Sequence, residues 1–423
     1  MANIVSLTVE NFRSYKNKTV FSFEAVDAPL MEGNYHEVAL QDGKTIRLLN
    51  AAVIYGANAA GKSNVIQAFS TLADFVVKSK RNDPGDSLSY EPFKFAAKNS
   101  KDPVKFSIQF AVGGIIYEYK IAYTDKSFLS ETLKKAGERS YIFDRNGDGR
   151  MTVNPNALPD IQDEAFLHNH LALSELSLKA DPFIQAVYKE LSAVRVFQMA
   201  DRYDRLDRMT NVAKMLYDDK PDGMLTRMLK NLIATADTGI HGIKVKKSDD
   251  VPFIVGASGD RYVMLGMYEV SMLHPGENGK DVALSFEQES AGTQTLFTAG
   301  ARVIQALEEG SFLAYDEMNI ALHPMLFHRL VELFNNKETN PNNAQLLITT
   351  HDTVLIDDVL LRADQVWFAE KKNGVSDLYS AIDFEGVAID QPFGPWYRAG
   401  RLGARPKLKP YRIERINPSN GER

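Results

Sequence analysis

Apolar and polar residues alternate at the start of the chain. Residues 4–9 (IVSLTV) follow a period of two and 19–23 repeat it, so both are predicted strands. Residues 48–55 (LLNAAVIY) form a nearly continuous apolar run, which suits a strand covered on both faces of a sheet. A glycine loop interrupts that run, and residues 63–75 then read as a helix. Residues 80–89 are polar and turn-rich, a surface loop. Three more strands are predicted at 104–112, 115–123 and 127–133. Gly113-Gly114 separates the first pair at hairpin spacing. Residues 144–156 are a further turn-rich hairpin region.

The period changes at about residue 163 and stays helical to about 236. Leu171, Leu173, Leu176 and Leu178 share one apolar segment, and Met224, Leu225, Met228, Leu229, Leu232 and Ile233 recur at spacings of three and four. No heptad is sustained over three or four repeats, so no long coiled coil is expected. Strands resume near 240–245 and continue to 286. The pattern as a whole predicts an α/β fold: a mixed core sheet, an antiparallel β lobe and a helical insertion.

Composition narrows the class. With 423 residues, 44% hydrophobic and 25% charged, the chain is that of an ordinary globular protein. It has no cysteine, so disulfides, thiolate metal sites and cysteine nucleophiles are excluded, and a cytoplasmic location is expected. Residues 1–10 lack the features of a signal peptide. No apolar run approaches the ~20 residues that span a bilayer, so no membrane partner is expected. Net charge is −6, yet residues 398–423 carry eight Lys/Arg against two Glu. That basic tail is either a solvated surface or a contact for nucleic-acid phosphates.

Candidate chemistry starts at the glycine loop. Gly56-Ala57-Asn58-Ala59-Ala60-Gly61-Lys62-Ser63 satisfies G-x-x-x-x-G-K-[ST], with a strand before it and a helix after it. The glycines let backbone N–H groups turn toward phosphate oxygens, and the helix N-terminus adds its positive end. The expected nucleotide-binding residues are therefore Gly56, Asn58, Gly61, Lys62, Ser63 and Asn64. Lys62 supplies charge for the β- and γ-phosphates, and Ser63 offers a hydroxyl to Mg²⁺.

Residues 312–317 (FLAYDE) are an apolar strand ending in two carboxylates. Asp316 is the expected second metal ligand, directly or through water, and Glu317 the base that polarises an attacking water, so hydrolysis is the expected reaction. Residues 345–352 (QLLITTHD) form another buried-strand run, ending in His351, a candidate sensor of the γ-phosphate. Upstream lies Glu289-Ser290-Ala291-Gly292-Thr293-Gln294, opening a helix. It is either an ordinary helix cap or a segment that binds the γ-phosphate of a partner subunit's ATP.

The order of these segments resembles the ATPase heads of the ATP-binding cassette (ABC) superfamily. It runs from Asn11-Phe12-Arg13-Ser14 and the phosphate loop through Ser-x-Gly-Thr-Gln, apolar-Asp-Glu and Leu-His-Pro to Thr-Thr-His-Asp. It is especially similar to the OLD-like abortive-infection ATPases called RloA or AbiLi, whose tail motif residues 396–406 (WYRAGRLGARP) resemble. The resemblance implies a P-loop NTPase head over 1–397. Its parts would be a phosphate-loop and β-lobe segment (1–135), a helical insertion (160–236) and a lobe carrying signature, acidic strand and histidine (237–397), before a basic tail (398–423). It also implies a homodimer or higher even oligomer, in which two subunits sandwich two Mg²⁺-ATP molecules. Ser290 and Gly292 would act across the interface, residues 319–323 would contact the partner, and Arg13 would contact phosphate. The glutamine that should reach the Mg²⁺ has two candidates, Gln109 and Gln162.

Ser-Ala-Gly-Thr-Gln in place of Leu-Ser-Gly-Gly-Gln argues against a membrane-transport ATPase. Asp144 to Gly149 imitates a calcium loop, but its twelfth position is Pro155 rather than Glu, so a hairpin turn is expected. No second catalytic centre is recognisable after His351. The role implied is a prokaryotic anti-phage sensor or scaffold that controls a separate effector, a TOPRIM-type or other nuclease or a toxin, with a nucleic acid or phage protein as a further candidate partner. The alternatives are a DNA-repair or chromosome-maintenance head, and a scaffold that barely hydrolyses its ATP.

Overall fold

The computed structural model describes residues 3–198, 204–219, 223–247, 253–255, 261–263, 268–277 and 279–406. A six-stranded sheet forms the centre, in the order Arg195–Gln198, Phe312–Asp316, Gln345–Thr349, Ala51–Gly56, Val366–Lys372, Val375–Ser380. The first five strands are parallel and the last is antiparallel. The three strands Ala51–Gly56, Phe312–Asp316 and Gln345–Thr349 are buried throughout.

Their side chains divide strictly by parity. Ala52 and Ile54 join one apolar core, with Val65, Ile66, Phe69 and Leu72 of the helix Lys62–Lys78. Ala51, Val53 and Tyr55 join the other, with Leu296, Phe297 and Val303 of the helix Ala291–Glu309. This is what a period of two produces when both faces of a sheet are covered. It explains why residues 51–55 show no polar alternation.

The apolar run predicted as one strand over 48–55 is two. Thr45–Leu49 pairs with Tyr35–Ala39 in a small hairpin, and Ala51–Gly56 enters the central sheet. The break is at Asn50, whose side chain donates to Gly33 O at 2.8 Å and meets His36 Nδ1 at 2.7 Å. A buried amide with local partners turns the chain there without an unmet polar group.

The β lobe is larger than the three predicted strands. An antiparallel sheet of eight runs from Glu164–Ala165 through Val104–Val112 to Asn3–Glu10 and Thr19–Ser22. Tyr141–Asn146 and Arg150–Val153 form the expected hairpin, with Gly149 at φ 85°. Phe69 joins the lobe to the centre. Its ring lies 6.4 Å from Phe21 of the lobe and 4.7 Å from Phe312 of the central sheet. Phe69→Ala empties a site that is 1% exposed, so the loss expected in urea unfolding is about 3–5 kcal/mol. A loss below ~1 kcal/mol would show that the two layers do not share this core.

The stretch predicted as helical over 163–236 is not uniform. Helices Ala172–Leu176, Pro182–Ser192, Asp204–Asp219 and Met224–Ala234 are present, but Arg195–Gln198 is a strand beside Phe312–Asp316. Four residues carry too little periodicity to be read alone, and this strand is set by its neighbour in the sheet. The last part of the predicted basic tail, 407–423, lies outside the described residues. Among the described residues no helix is long and apolar enough to cross a membrane.

Candidate nucleotide site

Three parallel neighbours end at the same edge of the central sheet, and each delivers one piece of the site. Ala51–Gly56 leads into the phosphate loop. Gly56 has φ 151°, and a Cβ there would collide with the Ala369 carbonyl oxygen. Gly61 precedes the helix at φ 115°, and its Cβ would sit 2.6 Å from Ser376 Oγ. Both positions therefore need glycine.

The loop rests on a polar bed. Ser376 Oγ donates to Ala60 O at 2.6 Å and lies 2.7 Å from Ser14 Oγ. Asn64 Nδ2 donates to Ser14 Oγ at 2.6 Å, and Tyr15 OH to Gly61 O at 3.2 Å. The loop's curvature is thus set by two distant segments, near residue 14 and near 376.

Lys62 is buried. Its Nζ donates to Gly56 O at 3.2 Å and Ala57 O at 3.3 Å, and lies 3.0 Å from His351 Nε2. Burial holds the Lys62 ammonium below its usual pKa, against the opposing pull of Glu317 and Asp316. Partial burial, then the nearby Lys62 charge, holds the imidazole of His351 below its ordinary range. A neutral ring whose Nε2 accepts from Lys62 satisfies both.

Ser63 Oγ donates to Asp316 Oδ1 at 3.0 Å. Thr349 Oγ1 donates to the same carboxylate oxygen and accepts from Glu317 N at 2.9 Å. One threonine hydroxyl therefore ties together the ends of two strands. Two hard oxygen donors 3.0 Å apart match an edge of an Mg²⁺ octahedron, where ligands at 2.0–2.1 Å stand about 2.9 Å from each other. Glu317 lies at φ 54°, a left-handed conformation unusual for this residue type, and its Oε1 is 3.5 Å from His351 Nε2.

Lys62, Ser63, Glu317 and His351 face one cleft of about 430 Å³, lined by residues 58–64 together with Glu317, His351 and Lys371, while Asp316 and Thr349 do not line it. Sequence reading missed Lys371, Ser376 and Tyr15, which no local motif marks. It quoted Thr349 without giving it a function. Gln109 lies in the β lobe with its side chain 3.5 Å from Ser6 Oγ, and neither Gln109 nor Gln162 lines the cleft among the described residues.

Arg13 is placed differently from the expectation of a phosphate contact. It is paired with Glu91 at 2.7 Å and reaches Asn64 Oδ1 at 3.4 Å, and it does not line the cleft. Ser290 and Gly292 do not line it either. Ser290 is exposed and caps the helix Ala291–Glu309, its Oγ accepting from Thr293 N at 3.1 Å. Gly292 lies against the loop after the acidic pair, where a Cβ would stand 3.0 Å from Ala321 O. In that loop Leu322 is buried, and His323 caps the helix Pro324–Glu332.

A phosphate loop, an acidic strand and a histidine strand as adjacent parallel neighbours, beside an antiparallel lobe, define a nucleotide-binding P-loop ATPase with the ABC-type head fold. Residues 51–357 match the model of the family described as "AAA domain, putative AbiEii toxin, Type IV TA system", and the chain belongs to that family. No curated protein matches the sequence. Solved structures similar to it include an Smc head bound to the C-terminal winged-helix domain of ScpA. That likeness has 14% identity, covers 89% of this chain and 97% of that one, and has a TM-score of 0.46. The SMC head domain from Thermotoga maritima is similar at 13% identity, 89% and 98% coverage and a TM-score of 0.42. The Smc head from Pyrococcus furiosus, with an extended coiled coil and bound to the C-terminal domain of ScpA, is similar at 14% identity, 90% and 96% coverage and a TM-score of 0.41.

Proposed function

We propose that the chain binds and hydrolyses Mg²⁺-ATP in a site completed by a second copy, and that this cycle gates a separate effector in a prokaryotic anti-phage system. The observation that carries the hydrolytic reading is the convergence of Lys62, Ser63, Glu317 and His351 on one cleft, with Asp316 hydrogen-bonded to Ser63 behind it. In that reading the loop N–H groups and Lys62 bind the β- and γ-phosphates, while Ser63 and Asp316 hold the metal, which supplies charge neutralisation when bound. Glu317 takes the proton of the attacking water, and His351 holds the γ-phosphate in line. Arg13 keeps Asn64 and Glu91 in place rather than touching phosphate.

Chemistry left over supports the dimer. Ser290 and Gly292 form an exposed, hydroxyl-bearing helix start that the cleft of their own chain does not use. Such a start suits an anion presented by another subunit. ATP touching both subunits only in the closed state makes closure the bistable element.

The defence role draws on the family's description as a toxin of a type IV toxin–antitoxin system and on the resemblance in the tail at 396–406. The test is a phage challenge of cells with the intact locus, with Lys62→Ala and without the locus. The expectation is protection that Lys62→Ala abolishes. Equal plating of all three overturns the role, and sensitivity to DNA damage in its place would favour the chromosome-maintenance alternative.

A further inference from the structure

We infer that His274 is a positioning residue for Ser290, and that through it the three-stranded sheet sets the nucleotide response of the partner subunit's site. The inference rests on the reading of Ser290 as a γ-phosphate contact across the dimer. The sheet consists of Gly242–Lys247, Tyr268–Pro275 and Asp281–Ser285. His274 lies near the end of its middle strand. Its Nε2 is 2.7 Å from Glu289 Oε1, the residue immediately before Ser290.

The Glu289 carboxylate is unusual for a residue at a helix entrance. Its side chain is 7% exposed, although the neighbouring Glu287 and Gln288 are open to solvent. A buried carboxylate needs a partner, and pairing it fixes position more than it adds stability. Glu289 is gripped a second time through its backbone, because Gln294 Nε2 donates to Glu289 O at 3.0 Å and to Phe286 O at 2.7 Å. Its side chain is therefore set by the sheet and its main chain by the helix.

Ser290 follows directly, with its own Oγ directed to Thr293 N at 3.1 Å and Thr293 Oγ1 at 3.0 Å. Moving His274 moves the Glu289 anchor, and with it the hydroxyl that faces the other subunit. The sheet itself packs on the helices Asp204–Asp219 and Met224–Ala234 and contributes no residue to the cleft among the described residues. Beside the chain itself and the packing of both helices on Ala291–Glu309, this pair is the side-chain link from the sheet to the residue before Ser290. An event on that sheet thereby alters turnover in the partner's site and leaves nucleotide binding in its own chain alone.

The experiment uses the full chain. His274→Ala is expected to lower kcat about tenfold, as loss of a hydrogen bond to a charged group would, with the KM for ATP within about twofold. His274→Gln, whose amide can still donate to Glu289, recovers most of the rate. Mixing His274→Ala with Lys62→Ala subunits restores one working site per mixed dimer. Mixing His274→Ala with Ser290→Arg does not, because both carry the defect on the same side. Ser290→Arg mixed with Lys62→Ala is the control for shared sites. If the control recovers and His274→Ala with Lys62→Ala does not, the positioning role is overturned. If the control itself fails, the shared-site reading falls and takes this inference with it. A His274→Ala protein whose KM rises with kcat unchanged also overturns it.

Discussion

Glu317→Gln is expected to bind ATP with near-normal affinity, hydrolyse it about 10²–10⁴-fold more slowly, and accumulate as a closed dimer. The amide keeps the size of the side chain and one acceptor oxygen but cannot take a proton from water. The backbone at Glu317 is held by Thr349 Oγ1 on its N–H, so the substitution leaves the left-handed turn and the Asp316–Ser63 contact in place. Single-turnover hydrolysis together with size-exclusion chromatography, with and without Mg²⁺-ATP, reads both parts. Normal turnover removes Glu317 from the role of base. Slow turnover in a protein that stays monomeric with ATP separates the base from closure and counts against the dimer.

Ser290→Arg and Lys62→Ala should each abolish steady-state hydrolysis alone, and when mixed should regain roughly one working site per mixed dimer. Lys62→Ala removes the cation from the phosphate loop but leaves its Ser290 intact. Ser290→Arg places a large side chain where the helix opens but leaves its phosphate loop intact. Only a site built from two chains combines the two good halves. ATPase rate against mixing ratio should peak near equal amounts, and a flat line near zero would mean that each chain carries a complete site or none.

Much of the site was legible because its parts lie at the ends of buried strands. Apolar runs at 51–55, 312–315 and 345–349 mark strands covered on both faces, and the polar residues that follow each run must fall at one edge of a parallel sheet. The phosphate loop, Asp316, Glu317 and His351 could thus be named as candidates from pattern and order. Position alone did not decide Arg13: its motif is intact, but Glu91, 78 residues away, takes its charge. Contacts of that kind depend on which segments the tertiary fold brings together. The same holds for Ser376 under the loop, for Lys371 at the cleft, and for the short strand Arg195–Gln198, whose extended form is decided by the acidic strand beside it.

The phosphate loop's dependence on distant segments also has a consequence for the chain as it is made. The strand Ala51–Gly56 has Gln345–Thr349 on one side and Val366–Lys372 on the other, and the loop it leads into is pinned from below by Ser376. At about 5–20 residues per second, a ribosome needs roughly fifteen seconds to a minute to deliver those partners after the loop has emerged. Through that interval a strongly apolar strand waits with both edges open, and the glycine loop has no fixed shape. Affinity for nucleotide should therefore appear late and abruptly during synthesis, and a nascent chain stalled before residue 345 should be a client of chaperones rather than a binder of ATP.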